Sequence, residues 1–400
     1  MNKPVYLYVT PFFPSPSSWR GAYCYDFVAE LKKTGRYLVE VFMPGNGGDY
    51  VIKGVRVHLF KTRQLQSNVL PFLWSGWNQR SFISAVKRCG IDVTSIAVCH
   101  GHTANFAIYP FAIKQRCPKC LTLLHHHDLA SFGLQMGRFR HVWFYKMIQF
   151  PILRRWHERI DVHVFISEAC RRSFLLAPDT SWTDFADYKR QMRGLPYRPV
   201  RIRDSIVLYN GVDNDVFKPR QKIPNERFVI GCIGNFTPLK DHITLLKAVN
   251  ILQRQGVGNI SIIMIGSGPE LPRCKRYAKK NFMHVEFREE VEHEKLTDFY
   301  CSIDLFVLPS VFEGLGCVFL ESIACGTPFL FCEGQPVEEL LSEPSRWQFK
   351  KKDPLDLAIK IRKYMETRPV QSLNRDVSID VLVESFLDYI RTKQRNLKWN

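Results

Sequence analysis

Acidic residues are the scarce class in this 400-residue chain: 38 Asp and Glu stand against 56 Lys and Arg, a formal net charge of +18. Long apolar runs are missing too. The richest, Val142 to Leu153, is broken by Lys146, Gln149 and Pro151 and falls short of the ~18 residues of a membrane span. The opening MNKPVYLYVTPFF meets proline too soon for a signal peptide, which implies a cytoplasmic protein. The 12 cysteines are scattered, so reduced thiols are expected rather than a disulfide framework. Cys117 and Cys120 in CPKC precede His125, His126 and His127, and two thiolates with two imidazoles would close a tetrahedral zinc shell. There is no second CxxC, and Cys120 to His127 is short for a zinc loop. The segment therefore reads as a loop entering a buried strand, and no metal is expected. At 46% hydrophobic, the composition also excludes disordered, collagenous and low-complexity chains.

Strand and helix patterns alternate along the chain. VYLYVT (5–10) leads into a Pro/Ser-rich loop, PFFPSPSSWRGA, then a helical stretch, YDFVAELKK, that stops at Gly35, then YLVEVFM (37–43). Strand-like runs follow at 55–60, 96–99, 121–125, 162–166 and 206–209. After Asp213 the rhythm restarts with strands at 228–234, 260–266, 284–287, 305–309 and 329–331, separated by helical patterns at 241–254, 270–280, 293–301 and 316–325. Alternation of this kind specifies parallel sheets covered on both faces. Two sets make two doubly wound Rossmann-like domains, 1–210 and 211–380. A last helical pattern near 380–400 is free to pack back on the first.

PSVFEGLGCVFLESIACGTP (309–328) carries the clearest chemistry, because it runs from a strand end into a helix, where doubly wound sheets bind ligands. Gly314 and Gly316 allow close backbone approach and leave amide donors at a helix start, a cradle for diphosphate. Glu313 and Glu321, with seven residues between them, are suited to accept hydroxyl protons from a sugar. Taken singly, either would be a solvated glutamate on a capped helix. GNFTPLKDH (234–242) repeats the strand-to-helix setting and offers Lys240 as a point charge for phosphate. IGSGPE (265–270), with Gly268, is a weaker glycine turn. In the first half, Gly21 lies in the long loop after the first strand. His100 and His102, and His127 with Asp128, sit at strand ends on one edge, where they can meet a substrate hydroxyl or serve as satisfied loop residues.

In order along the chain, these segments resemble the retaining glycosyltransferases of family 4, marked by their E-x7-E signature. The resemblance rests on TPFFPSPSSWRGA, His127–Asp128, FISEACRRSF, YNGVDNDVFKP, GNFTPLKDH, IGSGPE, LFVLPS, EGLGCVFLE and ESIACGTP. It implies a GT-B fold, two Rossmann-like domains facing each other across a cleft, with the donor mainly on the second. By resemblance, the catalytic residues are Glu313 on donor-sugar hydroxyls, Lys240 on the diphosphate and His127 near the reacting sugar. Glu321 would hold the ribose, the backbone at Leu315, Gly316 and Cys317 would contact the donor, and Gly21 would approach the phosphate. Gly234, Asn235, Gly268 and Gly314 complete the donor set. The resemblance further implies a UDP- or GDP-linked sugar donor as co-substrate, with no cofactor and no metal, and a glycan or lipid-linked acceptor, in surface polysaccharide or glycolipid assembly.

Two positions depart from the family pattern. Asn235 stands where relatives commonly carry Arg, which shifts leaving-group charge onto Lys240. In FREEV, Glu289 replaces a usual glycine near the base. The charge is also uneven: residues 1–219 carry 30 Lys and Arg against 15 Asp and Glu, whereas 220–400 carry 26 against 23. The basic half includes NVLPFLWSGWNQRSF (68–82) and RFRHVWFYKMIQFPILRRWHER (138–159). Two readings stay open there, an anionic membrane surface at the inner face of the cell membrane or a buried helix with a basic end. Rival classes are a sugar-nucleotide epimerase of the same fold and a basic nucleic-acid-binding protein. The latter leaves Glu313 and Glu321 unexplained, so no nucleic acid is expected.

Overall fold

The apolar, β-branched run VYLYV forms β1 (Val5–Val9), and the chain around it builds the first sheet. The computed structural model describes residues 3–16, 18–63, 74–127, 150–175, 200–221 and 226–397. Contacts divide the chain into two units, 1–210 with 379–400 and 211–378.

The first unit is an eight-stranded sheet ordered β3-β4-β2-β1-β5-β6-β7-β8. Its further strands are β2 (Leu38–Pro44), β3 (Tyr50–Ile52), β4 (Val55–Phe60), β5 (Ile96–His102), β6 (Leu121–His126), β7 (Val162–Phe165) and β8 (Ser205–Val207). All pair in parallel except β3, which runs antiparallel to β4 and was not expected from the sequence. Lys53 and Gly54 both have positive φ in the tight turn that makes this hairpin. Helix α1 (Ala22–Lys33) buries Cys24, Phe27, Val28 and Leu31 against the sheet. It starts at Gly21, whose φ of 87° is left-handed and whose added Cβ would lie 2.9 Å from the Phe12 carbonyl. Glycine is thus required there by the loop itself. The chain's last helix (Ile379–Leu397) belongs to this unit, burying Val383, Phe386, Leu387 and Ile390 in the same core as α1 and β1.

The second unit is a six-stranded parallel sheet ordered β11-β10-β9-β12-β13-β14. The strands are β9 (Phe228–Ile233), β10 (Ile260–Ile265), β11 (Val285–Arg288), β12 (Leu305–Leu308), β13 (Phe329–Cys332) and β14 (Gln348–Phe349). From β9 the chain builds outward one way through β10 and β11, then returns to build the other way from β12. The order therefore reverses between β9 and β12, and that switch point is where an open parallel sheet forms a binding crevice. The first sheet has the same reversal between β1 and β5. A helix over Pro354–Thr367, absent from the sequence expectation, is capped by the Asp353 carboxylate, which accepts from the amides of Leu355 and Asp356.

Asp128 and residues 68–73 and 138–149 of the two basic aromatic segments lie outside the described residues. In the described remainder, Phe82, Leu153 and Trp156 are core side chains. Trp74 is more than a third exposed, and the Arg63 guanidinium lies over the Trp74 and Trp77 rings, 5.1 and 4.7 Å from their centroids.

Candidate active site

Three strand-to-helix loops at the carboxyl edge of the second sheet are tied together by backbone hydrogen bonds. The loop after β9 is zipped to the loop after β10: Gly234 N donates to Ile265 O at 3.0 Å, Phe236 N to Ser267 O at 2.8 Å, and Glu270 N to Phe236 O at 2.9 Å. Gly268, at φ 146°, makes this approach possible, since a Cβ there would sit 2.6 Å from Phe236 O. The loop after β12 joins through Val311 N donating to Leu239 O at 2.8 Å.

Lys240 and Glu313 meet across this junction. The Lys240 ammonium donates to Glu313 Oε1, with the two side chains 27% and 12% exposed. The sequence suggested separate tasks for them, and the structure pairs them directly beside the switch point. The next helix (Cys317–Ala324) begins at its cap, Gly316, with Leu315 buried and Gly314 and Cys317 half-buried. Gly234 is half-buried and Asn235 exposed on the loop after β9.

Glu321 is not a solvated helix-face glutamate. It is buried, its Oε2 accepts from Tyr300 OH at 2.7 Å, and its Oε1 lies 3.5 Å from His293 Nε2. Burial, then the Glu321 carboxylate, pushes the Tyr300 phenol well above its ordinary range. Tyr300→Phe leaves one carboxylate oxygen without its donor. A hydrogen bond to a charged acceptor contributes about 1.5–3 kcal/mol, so Tyr300→Phe is expected to lower the melting temperature by several degrees, measured calorimetrically against wild type. An unchanged melting temperature would show that the bond contributes nothing.

Sequence reasoning missed Tyr300 and His293, because helix packing and not a motif brings them to Glu321. It also missed His242, which stacks on Phe236 with centroids 4.1 Å apart. Neither His242 ring nitrogen has a hydrogen-bond partner among the described residues, and the same holds for Ser310 Oγ and Gln335 Oε1. Burial, then Lys240, pushes the His242 ring down to about 4.

Gly21 and His127 belong to the first unit, where the fold brings their segments together. The Tyr23 ring, just past Gly21, lies 5.1 Å from the His127 ring, and His127 Nε2 lies 2.8 Å from His102 Nδ1. In the CPKC segment, the Cys117 thiol points to the carbonyls of Thr94 and Ile96 and Cys120 to that of Leu121, so the thiols do not converge on the histidines.

Two family models match this chain: "Glycosyltransferase Family 4" over residues 21–177 and "Glycosyl transferases group 1" over residues 213–377. The chain is a glycosyltransferase. A GDP-mannose-dependent alpha-(1-6)-phosphatidylinositol monomannoside mannosyltransferase of Mycolicibacterium smegmatis is 25% identical over 341 residues, 80% of this chain and 78% of the relative. The sulfoquinovosyl transferase SQD2 of Arabidopsis thaliana is 24% identical over 57% of this chain and 48% of its own. Among solved structures, sucrose-phosphate synthase of Thermosynechococcus elongatus superposes with a TM-score of 0.68 at 13% identity, covering 97% of this chain and 98% of that one. Anabaena HepE in complex with UDP gives 0.63 at 14% identity, covering 98% of each. The fold is GT-B.

Proposed function

We propose that this chain moves a sugar from a UDP- or GDP-linked donor to a glycan or lipid-linked acceptor, with retention at the anomeric carbon. The observation that carries the reading is the Lys240–Glu313 ion pair, set across two loops at the switch point of the second sheet. A donor diphosphate competes with Glu313 for the Lys240 ammonium, and the released carboxylate accepts hydroxyls of the donor sugar. Glu321, held by Tyr300, takes the ribose hydroxyls, while the backbone around Leu315, Gly316 and Cys317 supplies amides at the helix start. As the anomeric C–O bond to phosphate breaks, charge grows on the diphosphate oxygen. Lys240 and the amides meet it as a preorganised electrostatic term. The acceptor oxygen bonds to the same face of the anomeric carbon, and its proton passes to the departing phosphate oxygen. Glu313 thus holds the sugar while Lys240 stabilises the leaving group.

To the first unit we assign the acceptor; Gly21, proposed for the donor phosphate, and His127, proposed for the reacting sugar, also belong to it. The basic excess lies in this half of the chain. A cavity of about 620 Å³ at the carboxyl ends of β2 and β4 is lined by Lys61, Arg80 and Arg88 against one carboxylate, Asp49, which pairs with Arg88 at 3.1 Å, and the remaining cations suit an anionic headgroup. The M. smegmatis relative is named for phosphatidylinositol monomannoside. No helix among the described residues is long and apolar enough to cross a membrane, so the proposal places the chain peripherally, at the inner face. Surface polysaccharide or glycolipid assembly is the accompanying role.

A thermal-shift screen of UDP-, GDP- and ADP-sugars tests the donor. A ligand binding only the folded state at a hundred times its Kd adds about 2.7 kcal/mol, so the matching nucleotide-sugar should raise the melting temperature by several degrees. A flat response to all three would overturn the donor assignment.

A further inference from the structure

Four histidines project from one face of β5 and β6 in the first unit. His100 and His102 alternate on β5, and His125 and His127 do so on β6 and just beyond its end, with His102 in register beside His125. The rings stack closely: centroids are 4.3 Å apart for His100–His102 and for His125–His127, and 5.0 Å for His102–His125. His100, His102 and His125 are all buried, while His127 is half-exposed at the rim.

Their hydrogen bonding is one-sided. His100 Nδ1 is taken by Tyr6 OH at 2.7 Å, and His102 Nδ1 by His127 Nε2 at 2.8 Å, with Tyr8 OH further off at 3.5 Å. In both rings Nε2 is buried and has no partner among the described residues, and in His125 neither nitrogen has one. Buried polar atoms are almost always satisfied, so four orphaned ring nitrogens in one place require an occupant. One ring nitrogen from each of His100, His102 and His125 falls within 4.8 Å of the others. Four-coordinate zinc, with bonds of about 2.1 Å to imidazole, needs them roughly 3.4 Å apart.

We propose that His100, His102 and His125 bind a divalent transition metal of the Zn2+ class through His100 Nε2, His102 Nε2 and one nitrogen of His125. This departs from the sequence expectation of no metal, and it uses neither Cys117 nor Cys120. The pattern is that of metal-binding imidazoles, in which an outer partner engages one nitrogen and so aims the other. Tyr6 does this for His100, and His127 does it for His102. Three neutral imidazoles form a donor set that holds Zn2+ and leaves a fourth position for water. A second buried group, His126, His157 and His163, shows the contrast. There, His157 Nε2 faces Ala104 O at 2.9 Å, His163 Nε2 faces His157 O at 3.1 Å, and His126 Nε2 faces His163 Nδ1 at 2.9 Å. Metal there would have to displace those bonds.

The test loads untagged full-length chain with Zn2+, removes free metal by gel filtration, and measures metal per chain. Co2+ is used in parallel as a spectroscopic probe. The expected result is one equivalent of Zn2+ retained by wild type and lost in His125→Asn. Co2+ should show visible bands of a four-coordinate ion without a thiolate charge-transfer band. No retained Zn2+, full retention by His125→Asn, or a thiolate band would each overturn the proposal. Should His125→Asn fail to fold, the wild-type metal content and the Co2+ spectrum decide alone. Neither readout depends on sugar transfer, so failure here leaves the donor reading untouched, and failure of the donor reading leaves this one standing.

Discussion

Lys240→Ala is expected to reduce sugar transfer by about 10²–10³-fold, the range seen when one preorganised group that meets developing charge is removed. Glu313→Ala should do at least as much, since it removes the hydroxyl acceptor for the donor sugar and leaves Lys240 without its counter-ion. Both side chains are partly exposed, and such a pair contributes only about 1 kcal/mol or less to stability. The melting temperature should therefore stay within a few degrees of wild type while turnover collapses. Lys240 already meets the donor diphosphate when it binds and meets more charge as the phosphate bond breaks, so its loss should lower kcat and also raise KM. Glu313 touches the donor sugar in the ground state as well, so its loss should also raise KM. Near-normal turnover in both variants would sink the assignment of this loop junction as the active site.

That junction shows what was legible in the sequence. Lys240, Glu313, Gly268 and Gly316 could be singled out because each lies between a β-rich run and a helical pattern. What the sequence did not state is that the missing Cβ of Gly268 makes room for the backbone at Phe236 O. Most strands of both sheets were readable because parallel strands covered on both faces are continuous apolar runs, whereas the two-residue edge strand β14 was not expected. Edge elements were less so: β3 pairs with one neighbour only, and its YVI carries no buried run to announce it. The direct pairing of Lys240 with Glu313 was hidden, because 73 residues separate them and only the strand order brings their loops together. Tyr300 and His242 had no local signal either. Their roles come from what the fold places against them, a carboxylate for one and the Phe236 ring for the other. The histidines of β5 and β6 were visible as loop-edge candidates, yet their convergence depends on register, which the sequence does not state.

Acid should unfold this protein from both units at once. His163 in the first unit and His242 in the second are each buried, and burial pushes each down to about 4 from an ordinary value of 6.5. His157, beside His163, is depressed in the same direction. A depressed imidazole is neutral in the folded state while the unfolded chain still binds a proton. Between pH 6.5 and 4 the unfolded state therefore holds more protons, and stability falls as pH falls. Above 6.5 neither state is charged and the effect vanishes; below 4 both are protonated and it saturates. The full window is about 3 kcal/mol per ring at 1.36 kcal/mol per pH unit, a large part of the 5–15 kcal/mol of a typical domain. His242→Phe isolates one contribution. The ring stacks on Phe236, and neither nitrogen makes a hydrogen bond of full geometry among the described residues, so a phenyl ring keeps the stack and gives up only a weak contact to the Gly234 backbone. Calorimetric scans from pH 7.5 to 4 should show wild type losing melting temperature steadily below about 6.5. In His242→Phe the second unit's transition should fall less steeply over the same range, while that of the first unit, still carrying His163, keeps its slope. Equal slopes in wild type and variant would mean that His242 takes up its proton without cost to the fold, and the buried, neutral state assigned to it would be wrong.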